Sequence, residues 1–268
     1  PAPTARQAAT NRGPDNRLLE IGRMVAANSP ALEGLRSIAR ACPASSEDIP
    51  VVTMQLSELE QLFRTVSEAR AQLEALYDEI TAAGYPEPII HPMALQHANE
   101  EDFRVLGATI IEQFDCLDGL LHNAAVLGPR APIEFYPHEA WMKVMQINVN
   151  AAYALSRALL PALQAAPAAS VVFTSSSVGR KGRAYWGAYS VSKFAVEGLM
   201  QVLADELRQT SKVRVNSIDP GATRTNMRKD AYPAENPENL PTPEDKLPLY
   251  LYLMGDDSAG ITGEALKA

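Results

Sequence analysis

A regular alternation of apolar strands and amphipathic helices is the feature that most constrains this chain. Four nearly continuous apolar segments and one short final segment predict strands, at 88–94, 118–125, 170–177, 213–221 and 263–267. Helical periodicity separates them, at 99–114, 138–163, 188–208 and 243–254. Strands that are apolar on both faces and separated by helices are typical of a doubly wound parallel sheet. The sequence therefore predicts the α/β class, with helices on both faces of the sheet.

The first third of the chain has a different composition. Before Gly84 the only glycines are Gly13, Gly22 and Gly34, and no aromatic residue precedes Phe63. We interpret residues 1–56 as an atypical N-terminal segment that is partly disordered or remodelled, with a mobile tail at 1–17 and a short candidate strand at 49–56. A capping box and a stripe of apolar residues then predict a helix over 57–83, which Gly84 ends.

Composition narrows the class of partner. The net charge is −8 and the isoelectric point about 5.1, which argues against nucleic acid because phosphate contacts need a clustered positive surface. Two cysteines, Cys42 and Cys116, are too few for a disulfide framework and suit a reducing compartment. No apolar run reaches membrane-spanning length. We therefore expect a cytoplasmic protein that binds neither nucleic acid nor membrane, and we assign no metal site.

Small and hydroxylated residues follow three of the predicted strands. They are Asn123 and Ala124, the run 174–177, and the segment 220–223. Ligands of parallel sheets bind beyond the carboxyl ends of the strands. Turns between strands and helices also favour these residue types, so both a ligand site and purely structural turns fit the pattern.

Tyr189 and Lys193 form the sharper feature. Residues four apart lie on one face of a helix, so the ammonium can approach the phenol. A nearby cation favours phenolate, and we expect it to lower the pKa of Tyr189 and make it a general acid or base. Ser176, at the end of the preceding strand, could supply a hydroxyl to the same substrate atom. An exposed helical pair without chemical importance is the alternative.

Longer segments around these residues resemble those of a known protein family. They are LDGLLHNAAVLGPR (117–130), VMQINVNAAYALSRALLP (144–161), VVFTSSSVGRKGRAYWGAYSVSKFAVEGLMQVLADEL (171–207), VRVNSIDPGATRT (213–225) and LYLYLMGDDS (249–258). From about Leu73 to Gly263 the chain resembles the classical short-chain dehydrogenase/reductases, which are Rossmann-fold enzymes that use NAD or NADP. Within them it is most similar to a bacterial subgroup of largely uncharacterised oxidoreductases. The resemblance implies a Rossmann-like domain at 57–268.

The resemblance implies a catalytic role for each matching residue. Tyr189 would protonate the carbonyl oxygen in reduction or accept the hydroxyl proton in oxidation. Lys193 would lower the pKa of Tyr189 and bind the nicotinamide ribose, and Ser176 would orient the carbonyl. Asn148 would hold a water that links Lys193 to solvent, although it could instead cap backbone groups. The substrate would be a small carbonyl compound or alcohol.

The resemblance also implies a cofactor site and an assembly. The cofactor would be NADP or NAD, with NADP slightly favoured. The long helices near 138–163 and 188–208 would form the contacts of a homodimer or homotetramer, and 226–243 would be a substrate lid. Ala125 stands where the family has glycine. The cofactor-binding residues would be Asn123, Ala124, Tyr189, Lys193, Pro220, Gly221, Thr223 and Thr225.

One family feature is missing from the sequence. The Thr-Gly-x-x-x-Gly-x-Gly turn that approaches the cofactor pyrophosphate has no counterpart, so the N-terminal β-α unit is atypical or missing. Ala94 stands where the family has an aspartate, and Arg64 would favour NADP. Three explanations fit the N-terminal third: a remodelled segment, a catalytically silent scaffold or pseudoenzyme that lost its cofactor, or a sequence from a shifted reading frame.

Overall fold

The computed structural model describes residues 74–75, 77–78, 80–84, 89–91 and 93–268. The chain divides after His91 into two units, which are described separately. In the first unit, the described residues from 74 to 82 are helical and Gly84 follows with φ +80°, as expected for the end of the helix predicted over 57–83. The earlier part of that helix, the tail, the strand at 49–56, the 56/57 boundary and Arg64 lie outside the described residues.

The second unit contains a parallel four-stranded sheet. Its strands are β1 (Gly119–His122), β2 (Ala169–Thr174), β3 (Val213–Asp219) and β4 (Ala265–Lys267), and they lie in the order β1-β2-β3-β4. Each neighbouring pair is parallel. The two central strands are almost wholly buried, as their continuous apolar sequences require. The predicted α/β class and these four strands are confirmed.

The strand predicted at 88–94 is wrong for the residues of that range that the structure describes. Residues 89–91 and 93–94 have no strand pairing, and the carbonyl of Ala94 accepts hydrogen bonds from the amides of His97 (2.9 Å) and Ala98 (3.0 Å), which makes a turn. The run contains Pro92, which has no N–H to donate to a strand ladder. The apolar character of this segment alone was therefore insufficient to predict a strand.

The helices pack on both faces of the sheet. Asn99 caps the first through a capping box with Asp102, and the helix predicted at 138–163 is interrupted by a π-helical turn at Gln146–Asn150. Among the described residues, no helix is both long and apolar enough to cross a membrane. The α-helices of this unit are α1 (Glu100–Phe114), α2 (His138–Met145), α3 (Ala151–Ala165), α4 (Gly187–Leu207), α5 (Asn226–Ala231) and α6 (Leu247–Met254).

Alternate residues of β2 face two different hydrophobic layers. Val171 and Phe173 pack with residues of α3 and α4, including Met200, whereas Val172 packs with Leu253 of α6. All five of these side chains are essentially inaccessible to solvent. This two-residue period fixes the strand register, because a shift of one residue would exchange the two layers.

Replacing Gly107 with alanine tests how closely α1 and α3 pack. A Cβ at this position would lie 2.6 Å from the carbonyl oxygen of Ala158. We expect Gly107→Ala to lower the free energy of unfolding by about 1–3 kcal/mol, because the two helices must separate. Urea denaturation measures the change.

Ala108, exposed on the same helix, provides the reverse exchange as a control. Ala108→Gly should cost only the helix-propensity difference, about 0.5–1 kcal/mol. Stabilisation by Gly107→Ala would show that α1 and α3 do not pack this closely.

Candidate active site

An open cleft of about 460 Å³ lies at the carboxyl ends of β1 and β2. His122, Asn123 and Ala124 line it from the end of β1, and Thr174 lines it from the end of β2. Lys193 of α4 completes this part of the wall. The structure thus places residues from two strand ends and one helix around a single opening, as the sheet topology predicts.

Tyr189 and Lys193 both lie in the first two turns of α4 and are both buried, with 8% and 3% of their surface exposed. The Lys193 Nζ donates a 2.6 Å hydrogen bond to the carbonyl of Thr174 and lies 5.7 Å from the centroid of the Tyr189 ring. The pair therefore shares one helical face. Because both side chains are buried, Tyr189 and Lys193 are not an exposed helical pair, which was the alternative interpretation of their spacing.

Burial raises the pKa of Tyr189 to about 12. A hydrogen bond from Ser176 lowers this pKa, while the charges of Asp219 and Tyr250 raise it. The pKa of Tyr189 is thus raised and not lowered as expected, because desolvation of the phenolate is the largest effect. Tyr189 is consequently protonated at neutral pH and suited to donating a proton.

Burial has the opposite effect on Lys193. Desolvation lowers its pKa to about 8, and the negative charge of Glu197, one helical turn further on, opposes this effect. At neutral pH the buried side chain is still mainly an ammonium. An ammonium in this position costs folding free energy, since only part of its hydration is replaced.

The loop after β2 carries Ser176 toward Tyr189. Its conformation is fixed by a 2.9 Å bond from the Gly179 amide to the Ser176 carbonyl and by a 2.5 Å bond from the Ser190 hydroxyl to the Val178 carbonyl. A Cβ on Gly179 would lie 2.6 Å from the Cβ of Lys193. Glycine is therefore required for the loop to lie directly against α4.

Glu197 holds this loop in place through Arg180. The sequence alone did not predict a role for this residue. Its buried carboxylate accepts hydrogen bonds from the Arg180 Nε (2.9 Å) and the Ser217 hydroxyl (2.7 Å). Arg180 also donates to the carbonyl of Leu266 in β4 (2.9 Å). The cluster ties the Ser176 loop, α4 and two strands together. Its members are far apart in sequence. The only sequence signal for the cluster is that Glu197 lies four residues after Lys193 and so on the same helical face.

Asn148 lies in the π-helical turn and is buried. Its side-chain oxygen accepts from the Val126 amide (2.8 Å), and its amide donates to the Val126 carbonyl and the Ser192 hydroxyl (both 3.0 Å). The side chain thus holds the segment after β1 against α4. These bonds favour the backbone-capping alternative for the side chain, and the predicted water relay remains a prediction.

The residues predicted to bind the cofactor fall in two places. Asn123 and Ala124 are exposed at the cleft, where the Asn123 Oδ1 accepts from the Thr174 hydroxyl (2.8 Å). Tyr189 and Lys193 lie on α4, and Lys193 lines the same cleft. The other four follow β3 and lie outside the cleft lining; they are Pro220, Gly221, Thr223 and Thr225.

Local bonds shape the segment after β3. Gly221 has φ +69°, and its amide donates to the Asp219 carboxylate (2.9 Å). The Thr223 hydroxyl lies 3.4 Å from the carbonyls of Pro220 and Gly221. Thr225 accepts from the Arg228 amide (3.1 Å) and so caps α5. The turn leads the chain from the sheet into α5.

His122 is a cleft residue to which the sequence analysis gave no role. Burial lowers its pKa to about 4, its Nε2 lies 2.8 Å from the Ser156 hydroxyl, and its ring stacks on Phe173 at 4.6 Å. It is therefore a neutral imidazole that forms part of the cleft wall.

Replacing Lys193 tests the cost of its burial. Between pH 8 and 10.5 the unfolded chain holds a proton at Lys193 that the folded chain has lost, so the free energy of unfolding rises with pH. We expect Lys193→Met to remove this rise and to be more stable at pH 7 by on the order of 2 kcal/mol. Urea denaturation at several pH values measures both effects. The exposed Lys212 is the control, since Lys212→Met should leave the pH dependence intact.

Comparisons with known proteins match residues 60–236 to the family described as short chain dehydrogenase. YciK, an uncharacterized oxidoreductase of Escherichia coli strain K12, is 54% identical over 168 residues, which cover 63% of this chain and 66% of YciK, just under two thirds. A structure described as a short chain dehydrogenase of Pseudomonas syringae is 58% identical, with a TM-score of 0.72 and coverage of 74% of this chain and 80% of that one.

A further structure, described as a short chain dehydrogenase of Shigella flexneri 2a complexed with NADP, is 48% identical. Its TM-score is 0.71, and the match covers 74% of this chain and 82% of that one. The family match covers more than half of the present chain and includes Ser176, Tyr189 and Lys193. This chain belongs to the short-chain dehydrogenase family.

Proposed function

We propose that this protein is an NAD(P)-dependent oxidoreductase that interconverts an alcohol and a carbonyl compound. The observation that carries the proposal is the arrangement at the start of α4. There the phenol of Tyr189 lies close enough to the Ser176 hydroxyl for that hydroxyl to lower its pKa, and it shares one helical face with the buried ammonium of Lys193. A protonated phenol, a hydroxyl and a cation beside an open cleft provide what a carbonyl oxygen needs as it becomes an alcohol.

The chemistry of the cleft fits the nicotinamide half of a dinucleotide. Asn123, Ala124 and Lys193 line it, and in sheets of this class dinucleotides bind at this edge. Lys193 would hold the ribose hydroxyls through N–H donors that its bond to Thr174 leaves free. When bound, NADPH or NADH would supply the hydride for the carbonyl carbon.

In reduction, Tyr189 would donate its phenolic proton to the substrate oxygen. Its raised pKa keeps that proton in place at neutral pH until negative charge develops on the oxygen. The Ser176 hydroxyl, which lies beside Tyr189, would turn its proton to the same substrate oxygen and hold the carbonyl in line. The substrate gains one hydride at carbon and one proton at oxygen, which balances the conversion to an alcohol.

Lys193 would then favour the phenolate that remains. Its ammonium, 5.7 Å from the Tyr189 ring centroid, stabilises negative charge on the phenol and can supply a replacement proton, since its own pKa is about 8. Glu197 keeps the ammonium charged and, through Arg180, keeps the Ser176 loop in place. Asn148 would act by holding Val126, after β1, against Ser192 of α4.

The burial of Lys193 argues against the catalytically silent scaffold. A buried ammonium lowers folding stability, and such a cost is typical of a functional site rather than a structural helix. The missing glycine turn remains the argument for that alternative, and the residues where the turn would stand lie outside the described part of the chain. The NADP named for the Shigella structure supports NADP as the first cofactor to test.

We further propose a cytoplasmic homodimer or homotetramer. Exposed apolar side chains on α3 and α4 support the predicted contact helices, and they are Tyr153, Val191, Phe194 and Val202. Exposed apolar side chains of this kind are what subunit contacts bury.

Tyr189→Phe tests the catalytic proposal. We expect turnover of a simple aldehyde with NADPH to fall by at least about 1,000-fold, because the phenolic proton that the substrate oxygen receives is lost. NADPH should still quench the fluorescence of Trp141 and Trp186 with nearly unchanged affinity. Absorbance of NADPH follows turnover, and a fluorescence titration follows binding.

Tyr252→Phe is the matched control, because Tyr252 is partly exposed on α6 and outside the proposed site, and it should leave both readings unchanged. Calorimetry that detects no binding of NADPH or NADH would overturn the proposal and favour the silent scaffold.

Val202→Lys tests the proposed assembly. Wild-type protein should have two or four times the 29.0 kDa mass of one chain, and a lysine on the exposed face of α4 should shift it toward monomer. Light scattering after size-exclusion chromatography measures the mass. Ile133 is also exposed but lies on a separate 3₁₀ turn, so Ile133→Lys should leave the mass unchanged. A monomeric wild type would contradict the proposed assembly.

A further inference from the structure

A cluster of arginine and aromatic side chains borders the candidate active site. We call it the arginine–aromatic cluster, and its members are Arg130, Arg183, Trp186, Arg228 and Tyr232. The Trp186 ring centroid lies 5.8 Å from that of Tyr189 and 6.0 Å from that of Tyr232. Trp186 therefore places the cluster next to the ring of the proposed proton donor.

Each arginine of the cluster contacts an aromatic side chain. The Arg130 guanidinium carbon lies 4.9 Å from the Trp186 centroid and 5.0 Å from the Tyr232 centroid. The Arg228 guanidinium carbon lies 4.0 Å from the centroid of the same Tyr232 ring. Arg183 donates a 3.1 Å hydrogen bond to the Tyr232 hydroxyl. Cations over aromatic faces are attracted by the ring quadrupole, which holds the guanidiniums of Arg130 and Arg228 in place, whereas Arg183 is held by its hydrogen bond to Tyr232.

The positive charge of the cluster is only partly neutralised. Arg228 forms a two-bond ion pair with Glu235 (2.6 and 2.7 Å). Arg130 and Arg183 are exposed, and neither has a carboxylate within ion-pair distance in the described part of the chain. Two unneutralised guanidiniums on a chain of net charge −8 create a local site that attracts anions.

The surroundings of the cluster are apolar. Trp186, Tyr189 and Tyr232 pack with four aliphatic or sulfur-containing neighbours of α5 and adjacent loops, which are Leu127, Val178, Met227 and Ala231. A guanidinium whose face lies against a ring keeps its edge N–H groups free for an acceptor such as carboxylate. A ligand that fits both features has an apolar body and an anionic end.

We propose that the substrate is a carbonyl compound whose apolar body bears an anionic group, which Arg183 and Arg130 bind. This inference rests on the proposed function and specifies its substrate class. The anionic group would bind at the cluster while the carbonyl lies at Tyr189 and Ser176. Arg183 is the better residue to replace, because Arg130 also donates to the carbonyl of Ala231 and so supports α5.

Two aldehydes that differ by one charge test the proposal. With NADPH as the reductant, we expect kcat/KM for 4-formylbenzoate to exceed that for methyl 4-formylbenzoate by roughly tenfold or more. Arg183→Gln should remove most of this preference by raising KM for the anion, while leaving the ester unaffected. Arg183→Lys should retain part of it, and added salt should weaken it. Arg104→Gln, which removes an exposed arginine of α1 that pairs with Glu101, should change nothing.

Equal kcat/KM values for the two aldehydes, or an unchanged preference in Arg183→Gln, would overturn the inference and leave the proposed function standing. If neither aldehyde is reduced, quenching of tryptophan fluorescence decides: selective binding of 4-formylbenzoate that is lost in Arg183→Gln supports the inference, and its absence overturns it. Failure to bind NADPH overturns the proposed function separately.

Discussion

The contact between α4 and the end of β2 is the interaction on which the candidate site depends. Lys193 lies in the core of this junction, donating to the Thr174 carbonyl while Gly179 packs against its Cβ. Without so close an approach the ammonium would reach water and lose the environment that sets its pKa. The approach also brings the loop that carries Ser176 beside Tyr189. One buried contact thus fixes both the position and the proton chemistry of the site.

Desolvation moves the two titrating groups of this junction in opposite directions. It raises the pKa of Tyr189 to about 12 and lowers that of Lys193 to about 8. Both changes oppose ionisation, as burial must, and they separate two pKa values that are nearly equal in the free side chains, 10.0 for tyrosine and 10.5 for lysine. The phenol is therefore the group that holds its proton more tightly, and the ammonium is the group that can replace it.

Charge is organised differently on the two sides of this junction. Behind α4, the Glu197 carboxylate is buried and fully used by Arg180 and Ser217, so it contributes rigidity and supports the charge of Lys193. In front, Arg130 and Arg183 face solvent without carboxylate partners among the described residues. The first arrangement stabilises the protein, and the second is available to a ligand.

The sequence by itself determined the fold class, most strands and helices, and the shared helical face of Tyr189 and Lys193, because periodicity and spacing report local geometry and burial. Sequence-based prediction was incomplete where the structure depends on contacts that periodicity and spacing do not report. The apolar run at 88–94 predicted a strand, yet its described residues form none; periodicity also could not reveal the bonds that occupy the Asn148 side chain.

Only the tertiary structure decided the energetics of the site. The direction of the Tyr189 pKa shift depends on how completely the phenol is buried. The Glu197 cluster and the arginine–aromatic cluster each join residues from several elements, so no local pattern marks them. Spacing along a chain specifies which residues share a face, whereas desolvation and charge pairing depend on what packs against that face.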